Sequence, residues 1–384
     1  MALLVTGALT SRLSDRSLTA VRTVLVMTLL YGFLVGVKAL ETGINAFGSD
    51  VAEGIFDNVT HPVAGLFAGI LATVLVQSSS VSTATIVGLV GSGALPLATA
   101  VPMVMGANIG TTVTNTLVSL GHVRQGPEFR RAFAGATVHD FFNLLTVSIA
   151  LPLELATGFL SRSAETITEL LGRGENLSGV TVESPIKAAV SWPVDVVEGL
   201  LEGTSSVLHG FLLLAMGLAL IFAALSLITK TMRALMAGRI ERSMNRMLDK
   251  GAGLGAMLLG IIVTILVQSS SITTSILIPM LAAGILTLGN AYPVTLGANL
   301  GTTITALLAS VAAVAPEALT IAIVHTLFNL FGILLFYPLP AMRQIPIRLA
   351  QRTSEAAQRH RTWVVGYVGG LFVALPLIGL FVLA

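Results

Sequence analysis

Two identical polar tetrads, Gln-Ser-Ser-Ser, are the residues of this sequence best suited to hold a ligand. They span Gln77 to Ser80 and Gln268 to Ser271, and each comes directly after a long apolar run. Neighbouring helical residues point about 100° apart, so four adjacent polar side chains cannot share one helix face. A helix break at each tetrad resolves this conflict, and serines that begin the next helix would cap its free N–H groups. Because such helix starts favour anions, the tetrads predict an anion site.

A second polar block lies downstream of each tetrad. It reads GANIGTT from Gly106 to Thr112 and GANLGTT from Gly297 to Thr303. Glycine permits a helix break, the threonines can cap the next helical segment, and asparagine offers both a donor and an acceptor. Neutral oxygens of this kind are also what a hard cation such as sodium requires. The alternative is a seam of small residues that packs helices together, although clustered polar side chains are costly in a bilayer.

These blocks belong to an internal repeat with an offset of 191 residues. GILATVLVQSSS at 69–80 matches GIIVTILVQSSS at 260–271, and the second block recurs at the same offset. With a slip of five residues, VHDFFN at 138–143 matches VHTLFN at 324–329. A repeat whose copies carry interrupted polar segments at matching places is typical of secondary transporters.

The composition predicts a polytopic membrane protein. Charged residues make up 10% and hydrophobic residues 54%, with a mean hydropathy of +0.89, whereas soluble domains carry roughly 25% charged residues. There is no cysteine, so disulfides and thiol chemistry are excluded. Since a span needs about 20 apolar residues, the spanning helices predicted by the sequence are 23–45, 132–157, 205–229, 319–340 and 363–384.

Two further apolar regions, 62–121 and 251–315, contain no Asp, Glu, Lys or Arg. Each is too short for three comfortable spans at roughly 20 residues per span. A re-entrant hairpin of two half-helices and then one spanning helix fits better. Basic loops prefer the cytoplasm, and the loops alternate between basic (122–131, 230–250, 341–362) and acidic (48–61, 158–204). The two regions are therefore expected to cross the membrane in opposite directions.

The sequence thus predicts an all-α polytopic membrane protein with two inverted-topology repeats, each with a re-entrant hairpin and a broken spanning helix. The N-terminus is expected inside the cell and the C-terminus outside. The expected units are a first repeat at 1–157, an external loop at 158–204, a second repeat at 205–340, and a cytoplasmic loop with a final spanning helix at 341–384. Asn58 and Asn176 match glycosylation acceptors in the loops predicted to be external.

The uncharged cores restrict the chemistry. Without Arg or Lys, an anion can be held only by helix ends, hydroxyls and co-bound cations, which favours a sodium-coupled oxyanion. A Ser-His-Asp hydrolase built from Ser79, His139 and Asp140 is disfavoured, because no G-x-S-x-G elbow is present and Thr326 replaces the aspartate in the second copy.

The doubled tetrads, GANIGTT followed by TNTLVSL, and EFRRAFAGATVHDFFN at 128–143 resemble the type II sodium–phosphate cotransporters. FNLFGILLFYPLP at 328–340 is similar to the second half of that family. The resemblance covers roughly residues 21–380. It implies uptake of inorganic phosphate, driven by sodium, through alternating access between the repeats, in the cell membrane.

The resemblance also implies site residues. Those expected to bind phosphate are Gln77, Ser78, Ser79, Ser80, Gln268, Ser269, Ser270, Ser271, Asn108 and Asn299. Those expected to bind sodium are Gln77, Ser80, Thr83, Thr111, Thr112, Gln268, Ser271, Thr274, Thr302 and Thr303. Sodium is the co-transported ion, and no prosthetic group, nucleic acid or enzymatic activity is expected. The alternatives are a phosphate exporter or a carrier of another oxyanion, and a membrane scaffold or receptor without transport. The oligomeric state is left open.

Overall fold

A computed structural model of the chain describes residues 15–46, 61–124, 126–173, 185–236, 253–313 and 315–383. Within these ranges the chain is helical and contains no β-strand. The helices, in chain order, are α1 Asp15–Ala46, α2 Pro62–Val76, α3 Ser79–Gly91, α4 Leu97–Gly110, α5 Val113–Ser119, α6 Gly126–Thr157, α7 Phe159–Thr168, α8 Pro185–Leu201, α9 Ser206–Met236, α10 Gly253–Val267, α11 Ser270–Ser275, α12 Leu277–Ala282, α13 Leu288–Ala312, α14 Pro316–Phe336, α15 Pro340–Arg359, α16 Thr362–Gly369 and α17 Leu375–Leu383.

Six segments of the described chain are long and apolar enough to cross a membrane, and they agree with the spans predicted from sequence. They are Ser17–Ala46, Gly126–Thr157, Ser206–Ile228, Leu288–Ala312, Pro316–Phe336 and Thr362–Leu383. Five coincide with the predicted single spans, and the sixth, α13, lies in the second uncharged region. The last segment combines α16, a π-helical turn at Gly370–Ala374 and α17.

Each tetrad joins two short helices. In the first copy α2 has 15 residues and α3 has 13, and at about 1.5 Å per residue neither reaches across a hydrocarbon core of about 30 Å. In the second copy α10 has 15 residues, and the next segment is divided into α11 and α12 at Ile276. Pro279 follows the division by three residues and has no N–H to donate to the carbonyl of Ser275.

The helix break predicted for each copy is present only in the first. There, a turn at Thr111 and Thr112 separates α4 from α5, and the N–H of Thr112 bonds the carbonyl of Ile109. In the second copy α13 runs through Gly301 to Thr303 without interruption, so the break predicted there is wrong. Gly301 instead packs against Thr264 of α10, which is the packing role considered as the alternative.

The segments predicted as connecting loops contain helices. Residues 158–204 include α7 and α8, and residues 341–362 include most of α15. Their external and cytoplasmic placement stays a prediction. Residues 48–60 of the acidic loop predicted at 48–61, and the two possible acceptors Asn58 and Asn176, lie outside the described residues.

Glycines allow α2 to pack closely on α4 and α10 to pack closely on α13. A Cβ atom on Gly69 would meet the carbonyl of Met103, and one on Gly260 would meet that of Val294. The reverse contacts also recur 191 residues apart.

In those reverse contacts, Gly106 lies against the carbonyl of Leu66, and Gly297 lies against the carbonyl of Met257. The two copies therefore join α2 to α4 and α10 to α13 through the same backbone contacts. This packing fixes the position of each tetrad along the axis of the neighbouring helix.

Gly297→Ala tests this packing, with Gly289→Ala as a matched control on the same helix. The added methyl group at position 297 meets the Met257 carbonyl, whereas position 289 opens onto empty space. We expect Gly297→Ala to lower the free energy of unfolding by roughly 1–3 kcal/mol. Gly289→Ala should be neutral or slightly stabilising, because alanine is the better helix former. Thermal and denaturant unfolding in detergent measure the difference, and equal stability of the two variants would contradict the close contact.

Candidate functional site

Each tetrad begins with a glutamine whose backbone has the left-handed helical conformation. Gln77 has φ = 56° and Gln268 has φ = 54°, and they are the only residues other than glycine with positive φ in the described part of the chain. Non-glycine residues seldom adopt this conformation. The same strained backbone at both tetrads indicates that each glutamine is placed there to end one short helix and turn the chain into the next.

The second residue of each tetrad caps the next helix, as the sequence predicts. The Ser78 hydroxyl accepts the N–H of Val81 at 3.3 Å, and the Ser269 hydroxyl accepts the N–H of Ile272 at 3.4 Å. Both serines have extended backbone angles typical of N-caps. The remaining N–H groups of the first turn have no acceptor within their own helix.

The two tetrads meet in the interior of the protein. The Ser80 hydroxyl donates to the backbone carbonyl of Gln268 at 3.2 Å, across 188 residues of sequence. Ser79 and Ser270 are buried, with 6% and 2% of their surfaces exposed. Neither of them, nor Ser271, forms a side-chain hydrogen bond within the described chain, so three hydroxyls beside two helix starts remain available to a ligand.

The glutamine side chains fix the first tetrad to α5 and the second tetrad to α13. The Oε1 of Gln77 accepts from Thr114 at 3.0 Å, and the Oε1 of Gln268 accepts from Thr305 at 2.8 Å. Each Nε2 donates to a carbonyl of its own short helix, three residues back. Sequence reasoning missed both threonines, although their own separation of 191 residues equals the offset of the repeat and was a usable signal.

A buried chain of amides and imidazoles crosses between the two copies. Asn299 shares a hydrogen bond with each of two groups on α6, His139 Nε2 at 2.9 Å and Asn143 Oδ1 at 2.7 Å. Asn143 also donates to the backbone carbonyl of Asn108 at 2.7 Å. The side-chain Oδ1 of Asn108 lies 3.3 Å from His325 Nε2. The histidine of each copy thus bonds the asparagine of the other.

Several buried polar atoms of this network of amides and imidazoles have no hydrogen-bond partner among the described residues. They include Nδ1 of His139, Nδ1 of His325 and Oδ1 of Asn329. Unpaired polar atoms in a buried position are costly and need an explanation.

The threonines predicted to bind sodium share one arrangement. In each, the hydroxyl is within hydrogen-bonding distance of a carbonyl three or four residues back. The donors are Thr83, Thr111, Thr112, Thr274, Thr302 and Thr303. Their hydroxyl oxygens keep lone pairs that are able to face a cation. The caps predicted at the GANIGTT and GANLGTT blocks are absent, because Thr112 forms no side-chain cap bond before α5 and Thr302 and Thr303 lie inside α13.

An asymmetric contact was also missed. Asn115 on α5 bonds the Thr274 hydroxyl at 2.7 Å, and Ser275 donates to Asn115 at 3.0 Å. The residue at the same place in the second copy is Ala306. This contact ties the first copy to the tetrad helix of the second copy only.

A buried carboxylate reaches the site from α6. Asp140 is fully buried, its Oδ2 accepts the Tyr367 hydroxyl at 2.7 Å, and its Oδ1 has no partner. The Thr112 hydroxyl lies beside the carboxylate. The regions 62–121 and 251–315 lack carboxylates, but α6 supplies one from outside both.

A family of known proteins matches most of the chain. The matching model is described as Na+/Pi-cotransporter, and it covers residues 33–169 and 220–377. The chain belongs to the Na+/Pi-cotransporter family. Both tetrads, both asparagine blocks and Asp140 lie inside the matched residues.

Curated relatives of this family member include animal proteins. The "Sodium-dependent phosphate transport protein 2A" of Ovis aries is 34% identical over 96% of the chain and 68% of the relative. The 2A protein of Rattus norvegicus is 35% identical over 92% of the chain and 66% of the relative. The 2B protein of Bos taurus is 33% identical over 92% of the chain, which spans 64% of that relative. These relatives are transporters and not enzymes. No solved structure matches the chain.

The structure of this cotransporter-family member brings the predicted residues into two groups. The tetrads form one group through the contact between Ser80 and Gln268. Asn108 and Asn299 form the other, bridged by Asn143. The hydrolase alternative finds no support, because the Asp140 carboxylate bonds Tyr367 and the His139 ring bonds Asn299.

A comparison of Gln268→Gly with Gln268→Val distinguishes the strain of the left-handed backbone from the loss of the side-chain hydrogen bonds. Both changes remove the bonds to Ile265 and Thr305, but only glycine accepts the left-handed backbone without strain. We expect the valine variant to be less stable than the glycine variant by about 1–2 kcal/mol. Denaturant unfolding in detergent measures this difference. A valine variant as stable as the glycine variant would show that the left-handed turn is not required.

Proposed function

We propose that this protein is a secondary active transporter that couples inward sodium flux to uptake of inorganic phosphate by alternating access. Membership of the Na+/Pi-cotransporter family and the names of the relatives support sodium and phosphate as the substrates. The observation that carries the proposal is the meeting of two capped helix starts with free serine hydroxyls, buried and within two regions that contain no charged residue.

The phosphate site consists of the two tetrads, Gln77 to Ser80 and Gln268 to Ser271. First-turn N–H groups of α3 and α11 and the hydroxyls of Ser79, Ser270 and Ser271 supply donors to the phosphate oxygens. Asn108 and Asn299 complete the site. Each helix start is equivalent to roughly half a positive charge, so two starts balance only about one charge of a divalent anion. Sodium must supply the remainder, and this is the physical basis of coupling.

The sodium sites use the oxygens of Gln77, Ser80, Gln268 and Ser271, together with the six threonines that bond back to their own helices. Their protons point to backbone carbonyls, which leaves oxygen lone pairs for the ion. Asp140 adds one carboxylate whose Oδ1 has no protein partner. A sodium ion there would neutralise a charge that is otherwise expensive at membrane depth.

Alternating access rests on two inverted repeats, with residues 1–157 and 205–340 as the two units and the tetrad hairpins re-entrant in the bilayer. The contacts of Gln77 with Thr114 and of Gln268 with Thr305 recur at the repeat offset. The reciprocal bonds between His139 and Asn299 and between His325 and Asn108 fit a two-fold relation between the units. Rocking of one unit against the other would open the site to each side in turn.

The membrane orientation is inferred from charge. The basic loops face the cytoplasm of the cell membrane, the segment 158–204 and the C-terminus face outward, and 341–362 lies inside. Segment 341–362 carries five arginines, and basic residues near membrane spans are retained on the cytoplasmic side.

Ser79→Ala and Ser270→Ala test the phosphate site. Each removes one hydroxyl that has no partner within the described protein, so the fold should persist while phosphate loses a hydrogen bond to a charged oxygen. We expect sodium-dependent uptake of labelled phosphate into proteoliposomes to fall by about tenfold or more at limiting phosphate. Ser148→Ala, on an exposed face of α6, is the control and should transport normally. Normal uptake by both site variants would refute the assignment of the tetrads.

Competition separates phosphate from other oxyanions. Unlabelled phosphate and arsenate, which share tetrahedral shape and charge, are expected to inhibit uptake, and sulfate is expected to inhibit much less. Inhibition by sulfate equal to that by phosphate would favour a general oxyanion carrier. Phosphate efflux that requires an inward sodium gradient would favour an exporter. The absence of any sodium-dependent flux of phosphate would favour a scaffold or receptor.

A further inference from the structure

The Asp140 carboxylate has no counterpart in the other copy. The matching residue of the second repeat is Thr326, whose hydroxyl donates to the Ala322 carbonyl. Asp140 therefore places a single negative charge on one side of an otherwise neutral, two-fold arrangement. Among the described residues, no Lys, Arg or His forms an ion pair with it.

One hydrogen bond fixes the orientation of this carboxylate. Oδ2 accepts the Tyr367 hydroxyl at 2.7 Å, while Oδ1 stays unpartnered although the residue is fully buried. The Thr112 hydroxyl lies beside the carboxylate and hydrogen-bonds with it, and it is also 2.8 Å from the Ile109 carbonyl. The Thr112 oxygen and the Asp140 carboxylate are thus adjacent.

Tyr367 is itself held rigidly. Its ring meets Phe133 and Phe372 edge-on, with centroids 6.1 Å and 6.2 Å away, and lies 6.3 Å from Phe141. The last span changes to a π-helical turn at Gly370–Ala374, just after this residue. Such turns are often found at functional sites, and this one lies beside the residue through which the last span bonds the Asp140 carboxylate.

We propose that Tyr367 is a positioning residue for sodium: its hydroxyl holds Oδ2 of Asp140 so that Oδ1, together with the Thr112 oxygen, faces a cation. This inference rests on the proposed function and adds a role for the last span, which otherwise lies at the edge of the core. A charge-assisted hydrogen bond of this type is stronger than a neutral one. Loss of the hydrogen bond from Tyr367 allows the Asp140 carboxylate to rotate and makes its ionised form less stable.

Tyr367→Phe removes the hydroxyl and keeps the aromatic packing. We expect the sodium concentration that gives half-maximal phosphate uptake to rise by roughly threefold to tenfold, with little change in the rate at saturating sodium. Tyr31→Phe is the matched control, because Tyr31 makes a hydrogen bond of the same 2.7 Å length to the Ala189 carbonyl, far from the site in sequence. The control should keep the sodium dependence of the wild-type protein.

Asp140→Asn and Asp140→Thr test whether Tyr367 acts through the carboxylate. The threonine variant copies the residue of the second repeat and gives a second background if the asparagine variant folds poorly. In either background, adding Tyr367→Phe should leave the sodium dependence unchanged. The thermal stabilisation of the purified protein by added sodium serves as a second readout, since it does not require transport.

Two results would overturn the inference. One is an unchanged sodium dependence in Tyr367→Phe, and the other is that Tyr367→Phe shifts the sodium dependence equally in the wild-type and Asp140-substituted backgrounds. These results are distinct from failure of the proposed function. A wild-type protein without sodium-dependent phosphate flux would refute the function, whereas normal wild-type flux with an unaffected Tyr367→Phe variant would refute only the role of Tyr367.

Discussion

The constraint on which this structure depends is that a chain inside a bilayer must satisfy its own polar backbone groups. Helices meet it everywhere except at their ends, so a helix that ends at membrane depth must be enclosed by protein. Gln77 ends α2 and Gln268 ends α10. Each glutamine side chain is bound to its own helix and to a threonine of α5 or α13, and the serine that follows caps the next helix. The polar interior is therefore built around two left-handed turns.

Placing both turns together changes what they can do. A single helix start offers a few N–H groups and about half a positive charge, whereas two starts with free hydroxyls between them form the anion site that we propose. Because neither core contains Lys or Arg, the proposed site needs mobile cations to balance the charge of the anion. A fixed arginine would hold an anion in the absence of sodium and so weaken the dependence of one ion on the other. An uncharged core thus favours obligatory coupling.

The two copies are related but not equivalent. The glutamine anchors, the close glycine contacts and the reciprocal histidine–asparagine bonds recur between them. The turn at Thr111, the amide of Asn115, the carboxylate of Asp140 and the proline at 279 occur in one copy only. Alternation between two related states needs similar halves, while a directed sequence of ion binding needs differences. In the mechanism that we propose, the shared contacts serve the alternation and the single-copy features serve the order of ion binding.

The sequence by itself determined the membrane class, the single spans, the repeat, the family and the capping role of Ser78 and Ser269, because hydropathy, spacing and local capping are properties of neighbouring residues. It did not determine the long-range contacts: that Ser80 reaches Gln268, that Asn143 bridges Asn108 and Asn299, or that Asp140 meets Tyr367 across 227 residues. It also predicted a break in α13 where close packing of Gly301 keeps the helix whole. Only the tertiary structure decided these points, since the conformation of a glycine and the partner of a buried polar group depend on what another helix brings against them.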